Sequence, residues 1–184
     1  MASVESLAAP ALDLPGGVQL LALQPHTDQR GELMELYRDG GSDLAPPRQW
    51  NLLNSAPGSV RGMHAHLRHT DYVVVLSGVM LLGLCDTRQG FAANSCIVEL
   101  RGDQPQAAII PPGVVHGFVT TEGYSLVTGL SHTWNPADDL CCRWDDPALA
   151  LDWPHIETPA LSARDAAAGS LAELAAAWNA NAPR

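Results

Sequence analysis

Three histidines and one aspartate occur at spacings that would suit a bound metal ion. His64 and His66 lie two residues apart, Asp71 follows them, and a Pro-Pro-Gly turn precedes His116. Residues two apart on a β-strand share a face, so His64 and His66 can converge on one point. Imidazoles and a carboxylate together suit a divalent transition metal such as Fe, Mn, Zn or Ni. The alternative is that these side chains are hydrogen-bonded residues of the core.

The segments that would position these side chains are short and rich in apolar or β-branched residues. Gly, Pro, Asn or Asp bounds each of them, which is typical of antiparallel strands. We therefore predict an all-β sandwich or barrel of the jelly-roll kind. The predicted strands include residues 48–56, Asp71–Leu76, Val79–Cys85, Cys96–Leu100, Ala107–Ile110, His116–Thr120 and Tyr124–Leu130.

The end of the chain has a helical composition instead. From Leu161 onward it is rich in Ala, Leu and Glu, with Ser162 as an N-cap. We predict an N-terminal arm over residues 1–16, a barrel over 17–160 and a C-terminal helical segment over 161–184 that packs on the barrel. We expect His69, in a connecting loop, to be solvent-exposed, together with His26 and His155.

Composition argues against several classes of function. The 20 acidic residues outnumber the 10 basic ones, and a net charge of −10 would repel a polyphosphate backbone, so nucleic acid is not an expected partner. No run approaches the ~18–20 apolar residues that span a bilayer, so no membrane contact is expected, and the N-terminus lacks a signal peptide's basic region. Four cysteines without CxxC spacing indicate buried thiols in a reducing cytoplasm, where we expect the protein.

Two sets of sequence motifs resemble those of known protein families. The spacing from Gly58 through the histidines to Gly78 resembles the first cupin motif, and the Pro-Pro-Gly turn before His116 resembles the second. Six ordered segments resemble the dTDP-4-dehydrorhamnose 3,5-epimerase family, which is itself cupin-folded. They are DQRGELME, RQWNLLNSAPGSVRGMHAH, CDTRQG, IIPPGVVHGF, RWDDPALALDWP and LSARDAAAGSL. The resemblance, which covers about residues 18 to 172, implies a cupin jelly-roll barrel and a sugar-nucleotide epimerase.

This resemblance also assigns roles to individual residues. His64 would be the base that removes a proton next to the carbonyl of a nucleotide-linked 4-keto-6-deoxyhexose, and Asp165 would hold its ring. Asp165 could instead only cap a helix that begins at Ser162. The resemblance implies a homodimer, since family members exchange N-terminal strands. The residues expected to bind the substrate are Arg30, Glu35, Gln49, Asn51, Arg61, His116 and Trp134, with the two arginines on the diphosphate.

Two departures from the family's pattern affect the expected chemistry. Thr128 occupies the position of the family's tyrosine acid, although an alkyl hydroxyl is a far weaker acid than a phenol, whose pKa is about 10. Tyr124, four residues away, is the expected substitute. Asp71 occupies the position of the family's lysine, where a carboxylate would repel an enolate. A cation held by His66, Asp71 and His116, with or without His64, would remove that repulsion.

Three hypotheses follow from these observations. The preferred one is an epimerase or isomerase without a cofactor, in which the proton returns from solvent or from Tyr124. Loss of the family's tyrosine would restrict it to one carbon centre or to isomerisation. The second is a metal-dependent cupin isomerase, lyase or dioxygenase that uses His64, His66, Asp71 and His116. The third is a non-catalytic sugar-binding cupin. All three share one fold, so the site has to separate them.

Overall fold

The computed structural model of the protein describes residues 13–39, 45–88 and 94–182. Strands dominate it. The α-helices of the described chain are α1 (Ala163–Ala166) and α2 (Leu171–Asn181), and single 3-10 turns occur at Pro136–Asp138 and Pro147–Leu149. The described strands are β1 (Gln19–Ala22), β2 (Pro25–Asp28), β3 (Gly31–Met34), β4 (Gln49–Ser55), β5 (Val60–His66), β6 (Asp71–Asp86), β7 (Ser95–Arg101), β8 (Gln106–Ile110), β9 (Val114–Val119), β10 (Tyr124–Leu130) and β11 (Asp139–Cys141).

Two antiparallel layers share the long strand β6. Its first part pairs with β8 and β10, which extends that layer to β1 beyond β8 and to β4 beyond β10. Its second part pairs with β7 and β9, and this layer continues through β5 to β11. Strands β2 and β3 form a separate hairpin. The described strands therefore form the two facing sheets of a jelly roll, and the predicted all-β fold is confirmed.

The sequence analysis divided β6 into two strands at Ser77 and Gly78, and this was wrong. The strand is continuous from Asp71 to Asp86 and changes sheets at that point. Gly78 has a positive φ of 77°, and a Cβ there would lie 2.1 Å from the carbonyl oxygen of Gly123. In the sequence, Gly78 looked like the end of a strand. In the structure, this glycine allows the strand to bend and the backbone of Gly123 to approach it closely.

The main core fills the space between the two sheets. One sheet contributes Val73, Val75 and Leu126, and the other contributes alternate residues of β6 such as Leu82 and Leu84. This alternation is what a strand with one buried face requires.

The outer faces of both sheets are also partly covered. Helix α2 places Leu171 and Leu174 against Met63, Ala65 and other buried residues on the outside of the second sheet. Ser170 caps this helix through a capping box with Glu173. Helix α1 follows its own N-cap, Ser162. The C-terminal segment is thus helical, as predicted, but it forms two helices separated by a short break.

Several smaller predictions can be compared with the structure. His26 and His155 are exposed as expected, whereas His69 is buried at 2% exposure and corrects the prediction for that residue. All four cysteines are free thiols. Most of the predicted N-terminal arm, residues 1–12, lies outside the described residues, and the domain boundaries remain predictions. Within the described ranges, the structure contains no helix of the length and apolarity needed to cross a membrane.

Candidate active site

A β-bulge in β5 turns two functional side chains to the same face. Between the pairs Arg61↔Phe118 and His64↔His116, β5 advances three residues while β9 advances two. Because Phe118 and His116 are two apart, Arg61 and His64 face the same side. Gly62, inside the bulge, has a φ of 113°, and a Cβ there would lie 2.8 Å from the Cα of Gly117. The bulge therefore requires glycine at this position.

His64 is held by Asp165 from the C-terminal helix α1. The Nε2 atom of His64 lies 2.7 Å from Oδ1 of Asp165, across 101 residues of sequence. The carboxylate side chain is 6% exposed and the imidazole 23% exposed, so the ring reaches into open space while its partner is buried. The backbone N–H of Asp165 also donates to the Ser162 hydroxyl at 3.1 Å. The helix cap and the contact with His64 therefore occur together rather than as alternatives.

The ionisation of Asp165 fixes the tautomer of His64. Burial disfavours the charged carboxylate, but hydrogen bonds from His64, Ser162 and the backbone of Gly62 outweigh burial and lower the pKa of Asp165. An ionised carboxylate can only accept a hydrogen bond, so Nε2 of His64 carries the proton. In the neutral ring, Nδ1 then has the free lone pair. This is the arrangement that a general base requires.

A second group of titratable side chains lies beside this pair. The Nε2 atoms of His66 and His116 lie 3.5 and 3.7 Å from Oδ2 of Asp71. One ligand atom from each of these three residues lies within 4.8 Å of the other two. All three are buried. His64 is not part of the group, so of the four residues predicted as metal ligands the structure brings three together.

Hydrogen-bond acceptors lie behind both imidazoles of this group. Nδ1 of His116 is 3.1 Å from the carbonyl oxygen of Val114, which can only accept, so this nitrogen carries the proton. Nδ1 of His66 lies 3.4 Å from Oδ1 of Asp139. Burial lowers the pKa of His116 to about 3, and the neighbouring His66 acts in the same direction. His116 is therefore a neutral imidazole with its Nε2 lone pair toward Asp71.

The charges of His66 and Asp71 are coupled. Burial disfavours a charged His66 ring, but the carboxylates of Asp71 and Asp139 outweigh burial and raise the pKa of His66. Burial raises the pKa of Asp71 to about 6, although His66 opposes the shift. An internal carboxylate with such a raised pKa is destabilising at neutral pH, and such groups are common at functional sites.

The sequence analysis missed His69, Asp139 and Arg164 as members of this cluster. The ring of His69 stacks on His66 at a centroid distance of 3.9 Å, and its Nε2 lies 3.7 Å from Asp71 Oδ2. Burial and the neighbouring His66 lower the pKa of His69 to about 3. Arg164 donates to both the side chain and the backbone carbonyl of Asp139. Arg164 precedes Asp165 in the LSARD motif, and this position was the sequence signal that could have identified Arg164.

Three of the predicted substrate-binding residues form one hydrogen-bonded network. The backbone N–H of Trp134 donates to Gln49 Oε1 at 2.9 Å, and Gln49 Nε2 donates to Asn51 Oδ1 at 2.9 Å. The indole of Trp134 donates to Asp139 Oδ2 at 3.1 Å. Because Asp139 also faces His66, this network joins the histidine cluster. Trp134 is half-exposed, which leaves an aromatic surface at this end of the barrel.

Strand β10 presents Thr128 and Tyr124 at different levels of the barrel. Thr128 lies opposite Asn51 and Val73, whereas Tyr124 lies opposite Ser55 and Gly78. Four residues span about 13 Å of a strand. Burial raises the pKa of the Tyr124 phenol, while the adjacent Ser55 and Arg61 oppose that shift. Tyr124 also packs in the main apolar core. Its role as an acid remains a prediction.

The remaining predicted binding residues have separate environments. Arg61 is exposed and donates from Nε to the Ser55 hydroxyl at 3.0 Å. Arg30 lies at the turn of the β2–β3 hairpin, where it pairs with Asp28 and its side chain is 85% exposed. Glu35 follows this hairpin and pairs with Arg38. Within the described chain, Arg30 and Glu35 contact these local partners, and their binding roles remain predictions.

Comparisons with known proteins agree with this site. The sequence profile of the dTDP-4-dehydrorhamnose 3,5-epimerase family matches residues 12–173. A dTDP-4-dehydrorhamnose 3,5-epimerase from Mycobacterium tuberculosis is 32% identical over 186 aligned residues, which cover 92% of this chain and 90% of that protein. A dTDP-4-dehydrorhamnose 3-epimerase from Streptomyces niveus is 32% identical over 168 residues, covering 85% of this chain and 81% of that protein.

Solved structures show the same relationship. A 3′-monoepimerase from Streptomyces bikiniensis, crystallised as a double mutant with dTDP, superposes with a TM-score of 0.82 at 27% identity, covering 94% of this chain and 91% of that one. The jelly roll and its imidazole–carboxylate pair define a cupin that can act as a sugar-nucleotide epimerase. The chain belongs to the dTDP-4-dehydrorhamnose 3,5-epimerase family. The predicted family, fold and epimerase class are confirmed, and they are favoured over the metal-dependent and non-catalytic hypotheses.

Proposed function

We propose that the protein inverts a stereocentre next to the carbonyl of a dTDP-linked 4-keto-6-deoxyhexose. The observation that carries the proposal is the contact of 2.7 Å between His64 Nε2 and Asp165 Oδ1. A proton on carbon becomes acidic beside a ketone because the resulting enolate delocalises its charge. A base of neutral charge, oriented by a buried carboxylate, suits this step. Return of a proton from the opposite side completes the inversion.

His64 acts as the base in this proposal. Its Nδ1 lone pair is directed away from Asp165, and its partial exposure allows a sugar carbon to approach it. Asp165 holds the ring and stabilises the imidazolium that forms when the proton is taken up. This role also explains why the Asp165 carboxylate is buried, because a side chain that holds the His64 ring in one orientation must itself be immobile.

The diphosphate and the nucleotide of the substrate lie on the exposed side of His64. Arg61 shares a face with His64 and offers a guanidinium that suits phosphate oxygens. Trp134 offers an aromatic surface on which the base of the nucleotide or the sugar can stack. Gln49 and Asn51 offer amides beside it. Arg30 contributes from a second copy of the chain, because in its own chain it lies on the exposed hairpin. The active form is therefore a homodimer.

Inversion is restricted to a single centre. Protonation on the second face requires an acid at the level of Thr128, where the described chain has an alkyl hydroxyl opposite Asn51. Tyr124 is one phenol on this strand, but it lies beside Arg61 and Ser55. Two similar proteins are named as a 3-epimerase and a 3′-monoepimerase, which supports inversion next to the carbonyl at C3. Water returns the proton in this proposal.

The test is to incubate the protein with dTDP-4-keto-6-deoxyglucose in heavy water and to follow each ring proton by NMR. We expect deuterium at C3 and not at C5, and loss of this exchange in His64→Gln. Tyr124→Phe should retain exchange at C3, because the proposed donor is water. A wild-type protein that exchanges neither position would contradict the epimerase proposal, and exchange at both positions that Tyr124→Phe reduces to one would make Tyr124 the second acid.

A further inference from the structure

We propose that His66, Asp71 and His116 bind a divalent first-row transition-metal ion inside the barrel. The three residues come from β5, β6 and β9, so three strands of a rigid scaffold place them. His64 remains outside the site and keeps its contact with Asp165. The proposal therefore adds a metal ion to a site whose base stays free.

The geometry of the three ligand atoms is close to what such an ion needs. Ligand atoms about 2.1 Å from a zinc ion at tetrahedral angles lie about 3.4 Å from one another. The Nε2 atoms of His66 and His116 lie 3.5 and 3.7 Å from Asp71 Oδ2. Small side-chain movements would bring these atoms to bonding distance. Each residue is at most 8% exposed, so water competes little for the ion.

Both imidazoles are oriented by groups behind them, as metal-binding histidines are. The carbonyl of Val114 accepts from Nδ1 of His116, which leaves the Nε2 lone pair toward Asp71. Asp139 lies 3.4 Å behind Nδ1 of His66, and Arg164 and Trp134 hold Asp139 in place. This is the carboxylate–histidine–metal arrangement, with every part except the ion supplied by the protein.

The site also contains buried polar atoms that lack a partner. Asp71 Oδ2 and His69 Nε2 are buried, and neither has a hydrogen bond among the described residues. Leaving such atoms unpaired costs about 1–3 kcal/mol each, and more for charged groups. Among the described residues, the basic side chains within 4 Å of Asp71 Oδ2 are imidazoles, namely His66, His69 and His116. A cation at the centre of these atoms would satisfy the carboxylate.

The donor set indicates the class of ion and its use. Two nitrogens and one carboxylate oxygen suit Zn²⁺, Fe²⁺, Co²⁺ or Ni²⁺, whereas Mg²⁺ and Ca²⁺ prefer oxygen ligands alone. Three protein ligands leave at least one coordination position open. On the proposed function, an ion held by these three residues would offer that position to the carbonyl oxygen of the sugar and would supply Lewis-acid stabilisation of the enolate. The sequence contains no lysine, so neither this chain nor a second copy can supply an ammonium group instead.

Metal binding can be measured without reference to activity. Protein purified without a histidine tag is stripped with a chelator and titrated with Co²⁺, whose visible spectrum reports its ligands. We expect one equivalent to bind. Asp71→Asn and His66→Gln should each weaken binding by more than the roughly 10–100-fold typical of residues that only support a ligand. His155→Gln, which removes an exposed imidazole, should bind as the wild type does.

Two outcomes would overturn the metal site: no stoichiometric binding by the wild type, or binding of the same strength by Asp71→Asn. Thermal unfolding of each variant shows whether it is folded. Asp71→Asn and His66→Gln both introduce a neutral side chain of similar size, so if one variant does not fold, the other still tests the site.

The role of the ion is separable from its binding. Metal-free and Co²⁺-loaded wild type are compared for deuterium exchange into the keto sugar. Exchange that falls more than 100-fold on metal removal, and returns with Co²⁺, would support the carbonyl role. Undiminished exchange without metal would overturn that role. Stoichiometric, variant-sensitive binding with no exchange in any form would leave the metal site standing and the proposed function refuted.

Discussion

Asp71 is the residue at which local stability and chemistry conflict most. It is 5% exposed, and its ion-pair contacts within the described part of the chain are with the imidazoles of His66, His69 and His116. Burial raises its pKa to about 6 from the usual 3.8. A carboxylate that folds at such a cost is expected where charge is needed, either to bind a cation or to act on a substrate.

The first prediction is that Asp71→Asn stabilises the metal-free protein at neutral pH. The folded carboxyl binds its proton up to pH of about 6, whereas the unfolded one releases it near 3.8, so native stability falls as pH rises between these values. At about 1.4 kcal/mol per pKa unit, the penalty above pH 6 is at most ~3 kcal/mol. The amide removes it. Denaturant unfolding at pH 4 and pH 7.5 measures the difference.

The matched control is Asp103→Asn, which changes an exposed carboxylate paired with Arg101. Such a pair contributes about 0–1 kcal/mol, so this change should have little effect at either pH. If Asp71→Asn is less stable than the wild type at pH 7.5, then Asp71 forms a favourable interaction in the metal-free protein, and the assigned pKa shift is wrong.

Spacing along the sequence predicted part of this cluster. His64, His66 and Asp71 lie on or beside a strand, and strand periodicity brings the first two to one face. His69 could not be predicted in the same way, because a loop residue's burial depends on what packs over it. The partner of His64 likewise lies 101 residues away, and only the resemblance of the LSARD word pointed to it.

At the scale of elements, a buried ion pair joins the end of β6 to the N-terminal segment and to the turn that precedes His116. Asp86 and Arg88 pair at 2.7 Å, and the carboxylate side chain is fully buried. Asp86 also accepts from the backbone N–H of Gly16 at 3.2 Å. Arg88 donates to the carbonyl of Pro112, in the turn that leads to His116, at 3.1 Å. The pair therefore fixes both the N-terminal segment and that turn.

The second prediction is that Asp86→Ala destabilises the fold by about 3–5 kcal/mol, because it leaves a largely buried guanidinium without its carboxylate. Equilibrium urea unfolding measures the change. Asp103→Ala, in an exposed pair, should cost no more than about 1 kcal/mol. Equal, small effects for both variants would show that Asp86 does not hold these segments together.

The limits of prediction at this scale concern where elements join. The alternation of β4 and the turn signals around most strands were sufficient to place them. Gly78 looked like a strand end, yet the chain bends there and continues into the other sheet. The bulge at Gly62 was not visible either, because it depends on the register against β9 rather than on local sequence.

At the scale of the whole molecule, one sheet ends at β4 with large apolar side chains facing outward. Leu52 is 63% exposed and Trp50 is 43% exposed on this strand, which pairs with β10 among the described strands. Leu33 on the hairpin is 69% exposed. An apolar edge of this kind favours association with another copy of the chain. The homodimer itself was predicted from the resemblance and not from these residues.

The third prediction is that the wild type sediments as a dimer and that Leu52→Asp shifts it toward the monomer. A charge buried against an apolar partner is costly unless it is paired, so the change should weaken association at least ~10-fold. Analytical ultracentrifugation over a concentration series measures this. Gln104→Asp adds the same charge at another exposed position and should leave the dimer intact. A monomeric wild type would contradict the prediction and the proposed role of Arg30.

The central claim is that His64, oriented by Asp165, removes a proton from carbon. The most direct test is the rate of deuterium incorporation at C3 of dTDP-4-keto-6-deoxyglucose, compared between the wild type and Asp165→Asn. The amide keeps the shape of the side chain but loses the charge that orients and stabilises the ring. We expect the rate to fall by about 10²–10⁴-fold in a variant that remains folded. Exchange at the wild-type rate in Asp165→Asn would contradict the claim.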